Sequence, residues 1–117
     1  MTATRAKGKP LTHQATLAAA REQLHQHADE ALAVLKAMAS HNRLLLLCEL
    51  VSGERSVGEL ALALDLAQAT VSQHLSLLRR DSVVSGRREA QTIYYRISDP
   101  RVQALMSTMF EQFCGDV

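Results

Sequence analysis

Apolar positions along the 117-residue chain recur mostly at helical spacing, and one late segment alternates as a β-strand does. The first predicted helix runs from about Thr12 to Met38, where leucine and small apolar residues form a continuous stripe at heptad-like spacing. A second helix is predicted from His41 to Ser52, with Ser40 as its N-cap and Gly53 at its end. The chain therefore begins with two helices, and the first is longer than one small core requires.

The segment from Ser56 to Arg80, SVGELALALDLAQATVSQHLSLLRR, predicts a short helix, a tight turn and a second helix. Ser56 and Glu59 have the spacing of a capping box, and Asp65 tolerates the left-handed backbone that a sharp turn requires. The second helix is predicted from about Gln68 to Arg80, with three apolar residues at i, i+4 and i+7 facing inward. These inward residues are Val71, Leu75 and Leu78.

The opposite side of this second helix carries short hydroxyl and amide side chains. They are Gln68, Thr70, Ser72, Gln73 and Ser76. Such side chains allow close approach to base edges, and glutamine can pair with adenine in the major groove of DNA. An ordinary amphipathic hairpin with a solvated polar face is the alternative, but the pattern favours a DNA-binding helix-turn-helix.

Residues 83–97 predict a two-stranded hairpin with its tip near Glu89 and Ala90. In its second strand, Ile93, Tyr95 and Ile97 alternate with Tyr94 and Arg96, as in a half-buried strand. A hairpin directly after a recognition helix predicts the wing of a winged helix. Arg87 and Arg88, near the tip, are candidates to contact the minor groove or the DNA backbone. A solvated hairpin with ordinary surface charges is the alternative.

Asp99 and Pro100 predict the start of a last helix, whose apolar stripe is wide for the end of a small domain. The predicted fold is mainly α with a small β-hairpin, in the order α-α-α-α-β-β-α of a winged helix-turn-helix. Excess apolar surface on the first and last helices predicts a homodimer built from both. Residues 12–117 are expected to form this domain, preceded by a disordered basic tail, residues 1–11, which is solubilising or a DNA-contacting arm.

Composition narrows the remaining function classes. A formal net charge of +1 does not by itself indicate a nucleic-acid partner. No apolar run approaches the roughly 18 residues of a membrane span, and no signal-peptide core follows the N-terminus, so we expect a cytoplasmic protein without membrane contact. No nucleophile and base show catalytic spacing, so neither enzymatic activity nor a cofactor is expected. Cys48 and Cys114 are far apart and are either inert core thiols or a redox device.

The order of elements and three sequence stretches resemble the ArsR family of small homodimeric winged-helix repressors. The stretches are LKAMASHNRLLLLCEL, ATVSQHLSLLRRDSVV and RREAQTIYYRI, and the resemblance covers about residues 28–114. It implies binding of double-stranded operator DNA, with base contacts from the recognition helix at Gln68, Thr70, Ser72 and Gln73.

Many members of that family sense metals through cysteine clusters or sets of histidine and carboxylate. No cysteine lies around Val57 to Leu60, and no histidine lies between Asp99 and Cys114. Three N-terminal histidines, His13, His25 and His27, lack a soft ligand nearby in sequence. We therefore predict no metal site, although a metal-sensing repressor remains an alternative.

The placement of one cysteine in the second helix and one at the end of the last resembles the thiol-based, persulfide-sensing branch of the family. That resemblance implies a reversible disulfide or polysulfide bridge between Cys48 and Cys114, formed in response to reactive sulfur species or an oxidant. Burial raises a thiol pKa, and His41 and Arg43 are the candidates to offset that effect. A constitutive DNA-binding protein without a sensor is the remaining alternative.

Overall fold

The computed structural model describes residues 14–115. The predicted basic tail and the predicted helix start at Thr12 lie outside this range. The prediction of one long first helix is wrong, because the structure has two helices, α1 (Gln14–Gln26) and α2 (Ala28–Met38). The chain divides into two compact units, with the boundary between Ala33 and Val34.

The interruption between α1 and α2 is a single residue, His27. Its backbone N–H donates to the carbonyls of both Gln23 and Leu24, each at 3.1 Å, so the last turn of α1 is partly tightened. The carbonyl of His27 accepts from Ala31 at 2.9 Å, and α2 begins with Asp29 and Glu30 in its first turn, where acidic side chains are favourable. Hydrophobic periodicity continues across so short an interruption and therefore does not reveal it.

The helix α3 (His41–Leu50) begins at the predicted cap, where the hydroxyl of Ser40 accepts from the Arg43 N–H at 3.2 Å. It ends two residues earlier than predicted, with Val51 as its C-cap. The guanidinium of Arg43 donates to the carbonyls of Ala37 at 2.8 Å and Lys36 at 3.3 Å. Arg43 therefore satisfies the C-terminal carbonyls of α2 and holds the sharp corner that leads into α3.

The predicted helix-turn-helix is confirmed as α4 (Val57–Leu64) and α5 (Gln68–Arg80). The capping box is present in both directions: Ser56 Oγ accepts from the Glu59 N–H at 3.1 Å, and Glu59 Oε1 accepts from the Ser56 N–H at 2.9 Å. Asp65 ends α4 with a left-handed φ of 55°. The three predicted inward residues of α5 are fully buried, and their packing directs the opposite face of the helix outward.

The sheet has three strands in the order β1-β3-β2, whereas two were predicted. The hairpin pairs β2 (Val84–Glu89) with β3 (Thr92–Ile97), and we call residues 84–97 the wing. The additional strand, β1 (Arg55–Ser56), is too short to show any alternation in sequence; it pairs with Tyr95 and Tyr94 of β3. This short strand joins the wing to the start of α4.

The last helix, α6 (Pro100–Cys114), begins at the predicted cap, where Asp99 Oδ1 accepts from the Arg101 N–H at 2.9 Å. Val102 and Met106 belong to the core, but the apolar stripe continues past it, and Phe113 is 81% exposed. Among the described residues, no single helix is long and apolar enough to cross a membrane; the bent pair α2–α3 would pass such a test by length and composition alone.

Candidate DNA-binding face and dithiol cavity

The five polar residues predicted on α5 lie outside its buried stripe, and we call them the recognition face: Gln68, Thr70, Ser72, Gln73 and Ser76. Four are exposed and Thr70 is half-buried. None of these side chains forms a hydrogen bond to another part of residues 14–115. Their donors and acceptors are thus available to an external partner such as base edges.

A polar cleft of about 400 Å³ separates the recognition face from the wing. Its walls come from the start of α4, from α5 and from the tip of the wing: Ser56, Val57, Gly58, Gln68, Ser72, Gln91, Thr92 and Ile93. Gln91 and Thr92 were not predicted as site residues. Their only signal in the sequence is their position directly after the predicted hairpin tip.

The two predicted wing arginines have different surroundings. Arg88 is exposed and has no side-chain partner within residues 14–115. Arg87 donates from Nε to both carboxylate oxygens of Glu54 at 3.0 Å, and from Nη1 to Glu89 Oε1 at 2.7 Å. Its guanidinium also lies 5.1 Å from the centre of the Tyr94 ring. The hydrogen bonds from Arg87 lower the pKa of Glu54, so this pair is charged at neutral pH.

Cys48, on α3, and Cys114, at the end of α6, line the same apolar cavity of about 300 Å³. Its other walls are Leu44, Met106, Met109, Phe110 and Phe113. Both thiols are free; Cys48 is half-buried and Cys114 is exposed. The fold therefore brings together two cysteines that are 66 positions apart in the sequence.

Burial raises the pKa of the Cys48 thiol, and the neighbouring Glu49 carboxylate and the Cys114 thiol raise it further. Neither His41 nor Arg43 is among the groups that act on it, so the predicted offset by those two residues is wrong. Arg43 instead binds the carbonyls at the end of α2. At neutral pH Cys48 is thus mostly a thiol, and the exposed Cys114 is the more accessible of the two nucleophiles.

A metal centre would need several ligating side chains in one place. In the part of the chain that the structure describes, no three His, Cys, Asp or Glu side chains come together as a potential metal site. The walls of the cavity that Cys48 and Cys114 share are otherwise apolar, and none of the described residues that line it is a third ligand of the kind zinc takes.

Comparison with known proteins agrees with this architecture. The model for bacterial regulatory proteins of the arsR family matches residues 40–85. The transcriptional activator HlyU of Vibrio cholerae is 42% identical over 93 residues, which are 80% of this chain and 86% of that protein. The crystal structure of the transcriptional repressor BigR from Xylella fastidiosa has a TM-score of 0.76 at 37% identity, covering 80% of this chain and 96% of that chain.

A third neighbour is described as a homodimeric winged helix-turn-helix DNA-binding domain, from Mycobacterium bovis. Its solution structure has a TM-score of 0.66 at 34% identity, covering 79% of this chain and 83% of that chain. The relatives are transcriptional regulators rather than enzymes, and regulators of this kind bind DNA. With its helix-turn-helix, its wing and its similarity over most of HlyU, the chain belongs to the arsR family of bacterial regulatory proteins.

Proposed function

We propose that this protein is a homodimeric transcriptional repressor that binds double-stranded operator DNA and releases it when Cys48 and Cys114 become bridged. The inducer is a reactive sulfur species or an oxidant, and the bridge is a disulfide or a polysulfide. The observation that carries the proposal is that two free thiols from different helices line one cavity.

The DNA-binding part of the proposal rests on the recognition face. It presents amides and hydroxyls that have no hydrogen-bond partner within residues 14–115, on a helix whose apolar stripe is fully buried. Arg88 adds a positive charge on the wing, across the polar cleft from α5. In a two-fold dimer, two such helices enter successive major grooves about one helical turn apart, which predicts an inverted-repeat operator.

The dimer rests on apolar side chains that one chain leaves in contact with solvent. Leu24 on α1 is 60% exposed and Phe113 on α6 is 81% exposed, and both belong to stripes that extend beyond the core. Association of two chains through the first and last helices would remove this surface from water.

The bridging chemistry needs only the two thiols and a sulfane-sulfur donor. The exposed Cys114 thiolate attacks a terminal sulfur of an inorganic polysulfide, which forms a protein persulfide and releases a polysulfide one sulfur shorter. Cys48 then loses its proton and attacks the Cys114 sulfur, so that a disulfide forms and hydrosulfide leaves. Where Cys114 carries a longer sulfur chain, attack on its penultimate sulfur also releases hydrosulfide and retains sulfur in the bridge.

Bridging affects DNA binding because of where the two helices lie. Cys48 is on α3, which packs on α4 and α5, whereas Cys114 ends α6, a helix of the proposed dimer interface. A covalent link between them changes how the recognition helices are held relative to the dimer axis. Coupling energies of about 1–3 kcal/mol are typical and correspond to roughly 5–150-fold in DNA affinity.

The test measures the affinity of the reduced and the polysulfide-treated protein for a duplex selected from a random-sequence library by the reduced protein. We expect treated wild-type protein to bind more weakly and Cys48→Ser and Cys114→Ser to bind equally before and after treatment. A Gln73→Ala variant should lose affinity for the selected duplex, while Gln112→Ala on α6, also an exposed glutamine, should not.

Three results would contradict the proposal: unchanged affinity of wild-type protein after complete bridging, a Cys48→Ser protein that still responds, or release by zinc with no effect of polysulfide. The first would indicate constitutive DNA binding and the last a metal sensor. Intact mass before each titration establishes that bridging has occurred.

A further inference from the structure

The base of the wing is anchored in the hydrophobic core, where Val84 and Tyr95 are buried, whereas its outer part, residues 86–92, is exposed. Among the described elements outside the hairpin, the only strand that pairs with β3 is the two-residue strand β1. A two-stranded hairpin is at best marginally stable by itself in water. Side chains that connect the exposed outer part to neighbouring segments therefore influence where the tip of the wing lies.

Arg87 makes such a connection. Its Nε and Nη2 groups bind Glu54, with Nη2 2.9 Å from Oε1, and Glu54 lies outside the wing, in the segment between α3 and β1. Its remaining contacts, to Glu89 and to the Tyr94 ring, are within the wing itself. The guanidinium thus joins three groups of the protein, two of them negatively charged. A DNA phosphate that bound this guanidinium would lie beside two carboxylates that repel it.

The register of the hairpin separates Arg87 from Arg88. Arg87 is paired with Tyr94, whereas Arg88 is paired with Ile93, and directly opposed residues share a face of the sheet. Ile93 lines the polar cleft beside Gln68 and Ser72. Arg88 is therefore on the face of the wing that adjoins α5, and Arg87 is on the face toward Glu54.

We propose that Arg87 is a positioning residue, which docks the wing beside the recognition helix through its ion pair with Glu54, and that Arg88 makes the wing's contact with DNA. This proposal rests on the DNA binding proposed above. It assigns to Glu54 a role in DNA affinity although Glu54 does not itself contact DNA.

Substitution of Glu54 distinguishes an Arg87 that contacts phosphate from an Arg87 that positions the wing, because the two roles predict opposite changes in DNA affinity. If Arg87 contacted phosphate, Glu54→Gln would remove a negative charge near a polyanion and free the arginine, and DNA affinity would rise. If Arg87 positions the wing, the same substitution loosens the wing and affinity falls. We expect a fall of roughly two- to fivefold, the range of an exposed ion pair.

The salt dependence of binding gives a second criterion. Each phosphate contact contributes about −0.9 to the slope of log K against log salt. Because the proposed dimer carries two copies of Arg88, Arg88→Gln should reduce the magnitude of the slope by about 1.8, whereas Arg87→Gln should lower affinity and leave the slope unchanged. Glu89→Gln is the matched control, because Glu89 also pairs with Arg87 but lies within the wing, and we expect little change in affinity.

The experiment uses the full-length reduced protein, fluorescence anisotropy with the selected duplex, and hydrogen–deuterium exchange without DNA. Glu54→Gln and Arg87→Gln should both speed amide exchange in residues 84–97, and Arg88→Gln should not. Tighter or equal DNA binding by Glu54→Gln, or a smaller salt slope for Arg87→Gln, would overturn the positioning role. A wild-type protein that selects no duplex would overturn the DNA-binding proposal itself, which is a distinguishable result.

Discussion

The side-chain amide of Gln103, on α6, donates a 3.3 Å hydrogen bond to the backbone carbonyl of Val51, the residue that caps α3. This bond fixes the two cysteine-bearing helices to each other at one point. Cys48 precedes Val51 by about 4.5 Å along α3, whereas Cys114 follows Gln103 by about 16 Å along α6. Measured along its own helix, Cys114 is thus roughly 12 Å farther than Cys48 from the hydrogen bond between Gln103 and Val51.

The apolar cavity of about 300 Å³ that both thiols line has room for added sulfur atoms, and this predicts the kind of bridge that forms. A simple disulfide needs Cα atoms within about 7 Å, whereas a bridge with extra sulfur atoms spans a longer gap and requires less movement of α6. We expect inorganic tetrasulfide to produce a bridge with one or more added sulfurs, and diamide, which supplies no sulfur, to produce a disulfide more slowly. Intact mass and peptide mapping measure the number of sulfur atoms in the bridge and the rate at which it forms. If both reagents produced a two-sulfur bridge at the same rate, the prediction would be contradicted.

The raised pKa of Cys48 predicts how the two thiols react with iodoacetamide. A raised pKa leaves less thiolate at neutral pH, so Cys48 should be alkylated more slowly than the exposed Cys114, and its rate should rise steeply only above the ordinary thiol range near about pH 8.5. Glu49→Gln removes one cause of the shift and should speed Cys48 labelling at neutral pH. Glu54→Gln, which changes a carboxylate that is not among the groups acting on Cys48, is the control. Faster labelling of Cys48 than of Cys114 at neutral pH would show the expectation to be wrong.

Much of the fold follows from local chemistry. Ser40, the pair Ser56 and Glu59, and Asp99 cap helices in the structure as their side-chain types predict, and the periodicity of α5 identifies its buried stripe. These features depend on residues within one or two helical turns of each other, so a local sequence pattern predicts them.

The remaining features depend on contacts between distant segments. The strand β1 exists only because Arg55 and Ser56 meet β3. The ion pair of Arg87 with Glu54 joins residues 33 positions apart, so no local pattern shows it. The joint cavity of Cys48 and Cys114 likewise requires the packing of α6 on α3. Only the resemblance to a family suggested that pair, since neither thiol has a local signature.

Asp99 provides a test of stability as a function of pH. Its side chain is 8% exposed, caps α6 and binds Arg101, whose hydrogen bonds hold the pKa of the carboxylate below its ordinary value. A lowered pKa means that the unfolded state binds the proton more readily, so the contribution to stability is complete above about pH 4 and is lost as the pH falls below it. We expect Asp99→Ala to lower the free energy of unfolding by about 1 kcal/mol at neutral pH.

The matched variant is Asp99→Asn, which keeps a good N-cap but removes the charge. It should be less destabilised than Asp99→Ala at neutral pH, and its stability should decline less than that of the wild type between about pH 4 and pH 3. Urea unfolding at fixed protein concentration measures all three proteins. Identical pH profiles for wild type and Asp99→Asn would contradict the assigned role of the carboxylate.

Phe113 and Leu62 provide a matched pair for the dimer. The two side chains are almost equally exposed, at 81% and 86%, but Phe113 lies on α6 and Leu62 lies on α4, outside the proposed dimer helices. Because a buried aromatic anchor commonly dominates an interface, Phe113→Ser should raise the dimer dissociation constant at least about tenfold, and Leu24→Ser on α1 should act in the same direction. Leu62→Ser should leave it unchanged. Sedimentation equilibrium measures the constant for each reduced protein, and equal constants for Phe113→Ser and Leu62→Ser would place the dimer contact elsewhere than on α6.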